Sequence, residues 1–278
     1  MAKFMRSLGA LAVAALVATT AGMPPFSSIA TVHAADPSPF TPVTPARLMD
    51  TREGLGGVVL APGEARDLQV SGRGGVPSSG VGAVSLNVTV TGPTSSGFVT
   101  VWPSGAGQPL ASNLNFVAGQ TVPNAVVVGV GTDGKISLFN SSGSSHVVVD
   151  VTGWFSSGFT PVTPARLMDT REGLGGVVLA PGEARDLQVS GRGGVPSSGV
   201  GAVSLNVTVT GPTSSGFVTV WPSGAGQPLA SNLNFVAGQT VPNAVIVGVS
   251  ADGKITLFNS SGSSHLVVDV TGWFPTVT

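Results

Sequence analysis

The chain has 278 residues, of which 42% are hydrophobic and only 9% charged, with no cysteine and a formal net charge of −1. Twelve basic residues, less Lys3 and Arg6 in a leader, stand against thirteen acidic ones, so the mature balance is −3. No basic cluster exists to neutralise a phosphate backbone, which excludes nucleic acid as a partner. Without cysteine there are no disulfides or thiolate metal sites, and core packing has to carry the fold.

Residues 1–34 read as an export signal. Lys3 and Arg6 form a positive n-region, Leu8 to Val17 an apolar h-region, and Val32-His33-Ala34 supplies the small residues before a cut at Ala35, with a cut after Ala30 as the alternative. The apolar run is too short to span a bilayer, and no later segment could. The expected address is extracellular, with no membrane association after cleavage.

Everything beyond the leader is written twice. Phe40 to Phe155 recurs as Phe159 to Phe274 at an offset of 119 positions, joined by Ser156-Ser157-Gly158. The copies differ only at Val127/Ile246, Gly131/Ser250, Thr132/Ala251, Ser137/Thr256 and Val147/Leu266. A unit of this length is too long for a solenoid repeat and matches an independent domain. The domain plan is therefore 40–155, a linker at 156–158, and 159–274, two near-identical beads.

Within the unit, Pro39, Pro42 and Pro45 favour extended backbone that lacks ladder donors. Arg47 to Arg52 reads as a short strand or bend, and Ala65 to Val70 alternates. From Ala83 to Thr91, Val84, Leu86, Val88 and Val90 alternate with Ser85, Asn87, Thr89 and Thr91, predicting a strand with one face buried and one wet. Gly92 to Gly97 turns the chain and Phe98 to Trp102 returns it. Asn124 to Val130 is a continuous apolar run, as expected of a strand covered on both faces. Asp133-Gly134 is a two-residue hairpin signal, and His146 to Phe155 closes the unit. No window shows helical periodicity.

A fainter internal echo relates Ala83–Phe116 to Ala125–Val149, each reading as a three-stranded meander. The fold class is all-β: two tandem β-sandwich-like domains of about eight strands each. A β-trefoil is the alternative, because the unit length divides by three.

Several motifs, taken in order, resemble a β-rich repeat unit of secreted actinobacterial proteins. They are Arg47-Leu-Met-Asp-Thr-Arg52, Gly74-Gly-Val-Pro77, Leu86-Asn-Val-Thr89, Ser112-Asn-Leu-Asn-Phe116, Val122-Pro-Asn124 and His146 to Phe155. The resemblance covers both copies. It implies an extracellular or cell-wall-associated accessory module, and it transfers no catalytic residue.

Chemistry has few footholds. His146 and Asp150 share a strand face about 13 Å apart, too far for a triad contact. One histidine per copy, no cysteine and no carboxylate cluster leave no metal site, and no cofactor motif is present. Asp50 and Arg52, repeated as Asp169 and Arg171, form the densest charged group. They read either as a polar binding site or as an Asp–Arg tie holding the first strand to a loop. Trp102 and Trp221 are the candidate sugar platforms, because a solvent-facing indole offers a flat apolar plate with one donor. Trp154 sits in a segment that reads as core.

Three functions follow from this reading. The first is a non-catalytic surface module with a structural or adhesive role. The second is a carbohydrate-binding module recognising a glycan or cell-wall polymer, and the third a weak hydrolase. Self-association through unpaired edge strands is a further expectation.

Overall fold

The computed structural model describes residues 40–156 and 158–276. The expected export signal lies outside the described residues. Among them there are sixteen strands and no helix. The first copy contains β1 (Phe40–Asp50), β2 (Glu64–Gln69), β3 (Ala83–Thr91), β4 (Gly97–Pro103), β5 (Leu114–Phe116), β6 (Thr121–Gly129), β7 (Lys135–Asn140) and β8 (His146–Phe155). The second contains β9 (Thr160–Asp169), β10 (Glu183–Gln188), β11 (Val200–Thr210), β12 (Gly216–Pro222), β13 (Leu233–Phe235), β14 (Val241–Gly248), β15 (Lys254–Asn259) and β16 (His265–Pro275).

Each copy stacks two four-stranded antiparallel sheets, ordered β1-β8-β3-β6 and β2-β7-β4-β5, and the second copy repeats that order. Consecutive strands mostly change sheet, and the strand order is that of a jelly roll. The sandwich is as expected, and the three-fold trefoil is excluded.

The meanders expected inside the unit do not form. β3 pairs with β6 and β8, whereas β4 pairs with β5 and β7 in the opposite sheet. The linker Gly92–Gly97 is too long for a two-residue hairpin, and it carries the chain across the roughly 10 Å between the sheets. Asp133-Gly134 does turn the chain, with the Gly131 N–H donating to Lys135 O at 2.8 Å. Yet β6 and β7 then diverge into different sheets, so no hairpin results.

The alternating pattern of β3 is realised as read. Val84, Leu86, Val88 and Val90 lie in the core, and Ser85, Asn87 and Thr89 point outward. β6 corrects the sequence reading. It is an edge strand with Val126 and Val128 buried and Ala125 exposed, not a strand covered on both faces. β1 is the other edge, where Pro42 and Pro45 lose no ladder partner.

Each copy has its own hydrophobic core. The two are nevertheless packed into one compact unit, not strung as separate beads. At the joint, the Phe155 ring lies 5.1 Å from that of Phe159 and 6.1 Å from that of Phe274.

Candidate functional site

The Asp50 group is a tie. Arg52 grips the Asp50 carboxylate with Nε and Nη2 at 2.8 and 2.6 Å, and its backbone N–H adds a third bond at 3.1 Å. Arg47 bridges Asp50 and Asp150, both at 2.5 Å, stapling the end of β1 to β8. Asp169, Arg171, Arg166 and Asp269 repeat the arrangement. Hydrogen bonds from the arginine side chain hold Asp50 below the ordinary carboxylate range, and Asp169 is held down to about 2 for the same reason.

The remaining arginines are spent in the same way. Arg66 pairs with Glu64 and donates to Val58 O, and Arg73 donates to Leu48 O and Gln69 O. Lys135 pairs with Asp133, and the second copy matches throughout. Every Lys and Arg among the described residues thus has an internal partner. In a chain rich in Gly and Pro loops, charge is used to fix loop backbone.

His146 takes no part in a triad. Its Nδ1 meets Thr51 Oγ1 at 3.1 Å, and that hydroxyl in turn accepts the Val147 N–H at 3.0 Å. No Asp or Glu hydrogen-bonds the ring of either histidine among the described residues. Nor do those residues contain a cluster of three or more metal-ligating side chains.

The tryptophans require a correction. Trp102 is 5% exposed and Trp221 7%, so neither offers an open face for stacking. Both stand on the outer side of their sheet, but the loop after the strand folds back over them. In the first copy that loop accepts the Trp102 Nε1–H at Ala106 O (3.0 Å) and the Thr100 hydroxyl at Ala111 O (2.8 Å), while Asn113 Oδ1 accepts the Val101 N–H (2.7 Å). Trp154 is the more open indole, half-buried against the core margin.

A built polar site does exist, on residues that the sequence reading passed over. Strands β5 and β6 and the loop before them stand on the outer face of the β9-β16-β11-β14 sheet. Asn124 Nδ2 donates to Asn206 Oδ1 at 2.9 Å, and Asn124 Oδ1 accepts the Ala244 N–H at 3.1 Å. Asn206 Nδ2 donates to Ser112 O at 2.7 Å, and Arg166 Nη2 reaches Leu110 O at 3.4 Å. Asn124 and Asn206 are both buried. The only signal for Asn124 was a polar residue at the head of an apolar run. Asn206 looked like any outward residue of an alternating strand.

Beneath this contact Asp269 is buried beside Arg166, and burial raises its carboxyl above the ordinary value despite the guanidinium. A further concave feature is a groove of about 680 Å³ at the end of the second copy, lined by Ser190, Ser197, Ser198, Ser250 and Thr276 together with Val200, Ala202, Val249 and Phe274. Its counterpart in the first copy has a volume of about 390 Å³.

No family model matches the chain, and no curated protein matches it. Among solved structures it is similar to the major capsid protein P2 of bacteriophage PM2, at 8% identity and TM-score 0.35, over 86% of this chain and 97% of that one. It is also similar to the tandem CBM22-1-CBM22-2 domain of Paenibacillus barcinonensis Xyn10C, at 11% identity and TM-score 0.24, over 82% and 98%. A triple jelly-roll protein of an archaeal virus aligns at 10% identity and TM-score 0.24, over 83% and 59%. At these scores the likenesses carry no argument about activity or partner.

Proposed function

We propose that the protein is an extracellular, non-catalytic module with a structural or adhesive role, its two jelly rolls acting as one stiff block at the cell surface. The observation that carries this reading is the hydrogen-bonded contact between the copies, centred on buried Asn124 and Asn206. Its complement is that every Lys and Arg among the described residues, and most of the carboxylates, are held in internal ties. The leader pattern and the resemblance to secreted actinobacterial repeats support the address.

One feature favours glycan binding as a second reading. The groove of about 680 Å³, with Ser190, Ser197, Ser198, Ser250 and Thr276 set among Val200, Ala202, Val249 and Phe274, offers both hydroxyls and apolar surface to a sugar chain. Recognition through Trp102 and Trp221 has no support, since their own loops cover both rings.

Cell fractionation and pull-down on cell-wall and polysaccharide preparations test the proposal together. The expected result is a mature N-terminus near Ala35 in medium or envelope, and no hydrolysis of the bound polymer. An intact Met1 chain in the cytoplasm, or polymer cleavage by the purified protein, would overturn it.

A further inference from the structure

The contact between the copies joins two different surfaces. The first copy contributes its open sandwich edge, β5 and β6 with the loop at Pro109–Asn113. The second contributes the outer face of its β9-β16-β11-β14 sheet. Such a contact is heterologous: it uses one surface of each partner and leaves the other surface of each free. Because the copies are nearly identical in sequence, the free surfaces are the same two surfaces again.

Burial shows this residue by residue. On the sheet face, Ser204, Asn206, Thr208 and Thr271 are buried, whereas their equivalents Ser85, Asn87, Thr89 and Thr152 remain partly open. On the edge, Pro109, Ala111 and Asn124 are buried, whereas Pro228 and Ala230 are exposed and Asn243 is partly open. Ile246, the counterpart of Val127, is 56% exposed, whereas Leu110 and Leu229 are both fully exposed and do not distinguish the copies. The second copy's free edge thus leaves Pro228 and Ala230 open beside an amide, Asn243, whose only side-chain bond is to Asn232 O. Of the five differences between copies, only Val127/Ile246 falls among these docking positions, and it enlarges an apolar contact.

We propose that the protein binds a second copy of its own chain head to tail, the free β13–β14 edge of one molecule docking on the free β1-β8-β3-β6 face of the next. In the new contact Asn243 would take the part of Asn124, and Asn87 that of Asn206. Repetition of one heterologous contact gives a ring if the rotation closes and an open filament if it does not. The contact within the chain has the advantage of a three-residue joint, equivalent to roughly millimolar effective concentration. The contact between chains lacks that advantage, so association is concentration-dependent. The inference goes beyond the surface role proposed above and does not depend on any glycan.

Sedimentation velocity of the full chain, from about 1 μM to about 1 mM to span that effective concentration, tests the proposal. The mass is expected to rise with concentration. Asn87→Lys spoils only the free face and Ala230→Lys, at the exposed counterpart of buried Ala111, only the free edge; both positions are open in the single chain, Asn87 partly. Each variant alone is expected to stay monomeric, with unchanged circular dichroism. An equimolar mixture should form a dimer and stop, because one variant keeps a good edge and the other a good face. A wild-type chain that stays monomeric throughout would overturn the proposal. So would assembly that survives either substitution, as edge-strand pairing would, or a mixture that fails to dimerise.

Discussion

The two copies share all but five of their residues, yet they do not present the same surface. Asn124 bonds to Asn113 O, Asn206 and Ala244, while Asn243, with the same neighbours in sequence, bonds only to Asn232 O. Asp269 is buried, and its equivalent Asp150 stays partly open. What separates them is position in the chain, since only the first copy has a neighbour against its open edge and only the second has one against its outer sheet face. Surface character here belongs to the assembly and not to the repeat.

The largest expected effect is one that should not distinguish the copies. Trp102 and Trp221 are covered alike by their own loops, so Trp102→Ala and Trp221→Ala should each destabilise by about 3–5 kcal/mol in urea unfolding. Unchanged stability in either variant would mean that the indole is open after all.

Matched pairs across the interface should then separate the copies. Asn124→Ala strands Asn206 Oδ1, the Ala244 N–H and Asn113 O, and is expected to destabilise by about 1–3 kcal/mol. Asn243→Ala strands only Asn232 O and should cost less than about 1 kcal/mol. Glycines provide an independent pair. A Cβ on Gly129 would lie 2.9 Å from Pro161 Cβ across the interface, whereas one on Gly248 would find its nearest neighbour at an ordinary 3.4 Å. Gly129→Ala should therefore cost about 1–3 kcal/mol through overpacking, and Gly248→Ala close to nothing. Equal effects within either pair would remove the asymmetry.

The smallest effect is electrostatic, and it has opposite signs at two carboxylates. Asp169 is lowered from 3.8 to about 2, chiefly by the side-chain hydrogen bonds of Arg171. Its stabilisation is present above pH 3.8 and disappears as pH falls through about 2. Asp269 is raised by burial, so its contribution is complete below 3.8 and declines as pH rises through the raised value. Asp169→Asn should lower stability at neutral pH by about 1–2 kcal/mol, discounted for the half-exposed Arg171. Thermal melts should show that difference closing near pH 2.

Class and architecture were legible because they are local or statistical. The strict alternation at Val84 to Val90 places one face inward, and the duplication is an identity. Strand order was not legible, because β1 meets β8 through pairs such as Arg47 with Asp150, about a hundred residues apart. Nothing near Gly92–Gly97 states whether the chain returns beside β3 or crosses to the other sheet. Trp102 misled because its alternation correctly put it on the outer side of the sheet, while the cover comes from a Gly- and Pro-rich loop without a hydrophobic signature. The docking surface was invisible for a deeper reason: two identical stretches cannot announce that one will be covered and the other left open.

The central claim, that identical residues are covered in one copy and open in the other, is tested most directly by thiol labelling, since the chain has no native cysteine. Thr89→Cys and Thr208→Cys place a probe at equivalent positions of the two outer sheet faces, one partly open and one buried. With a maleimide at about 1 μM protein, below any assembly between chains, Thr208→Cys should react at least about tenfold more slowly than Thr89→Cys, its reaction waiting on local opening. Equal rates at the two positions would show that the copies are separate beads and would contradict the account.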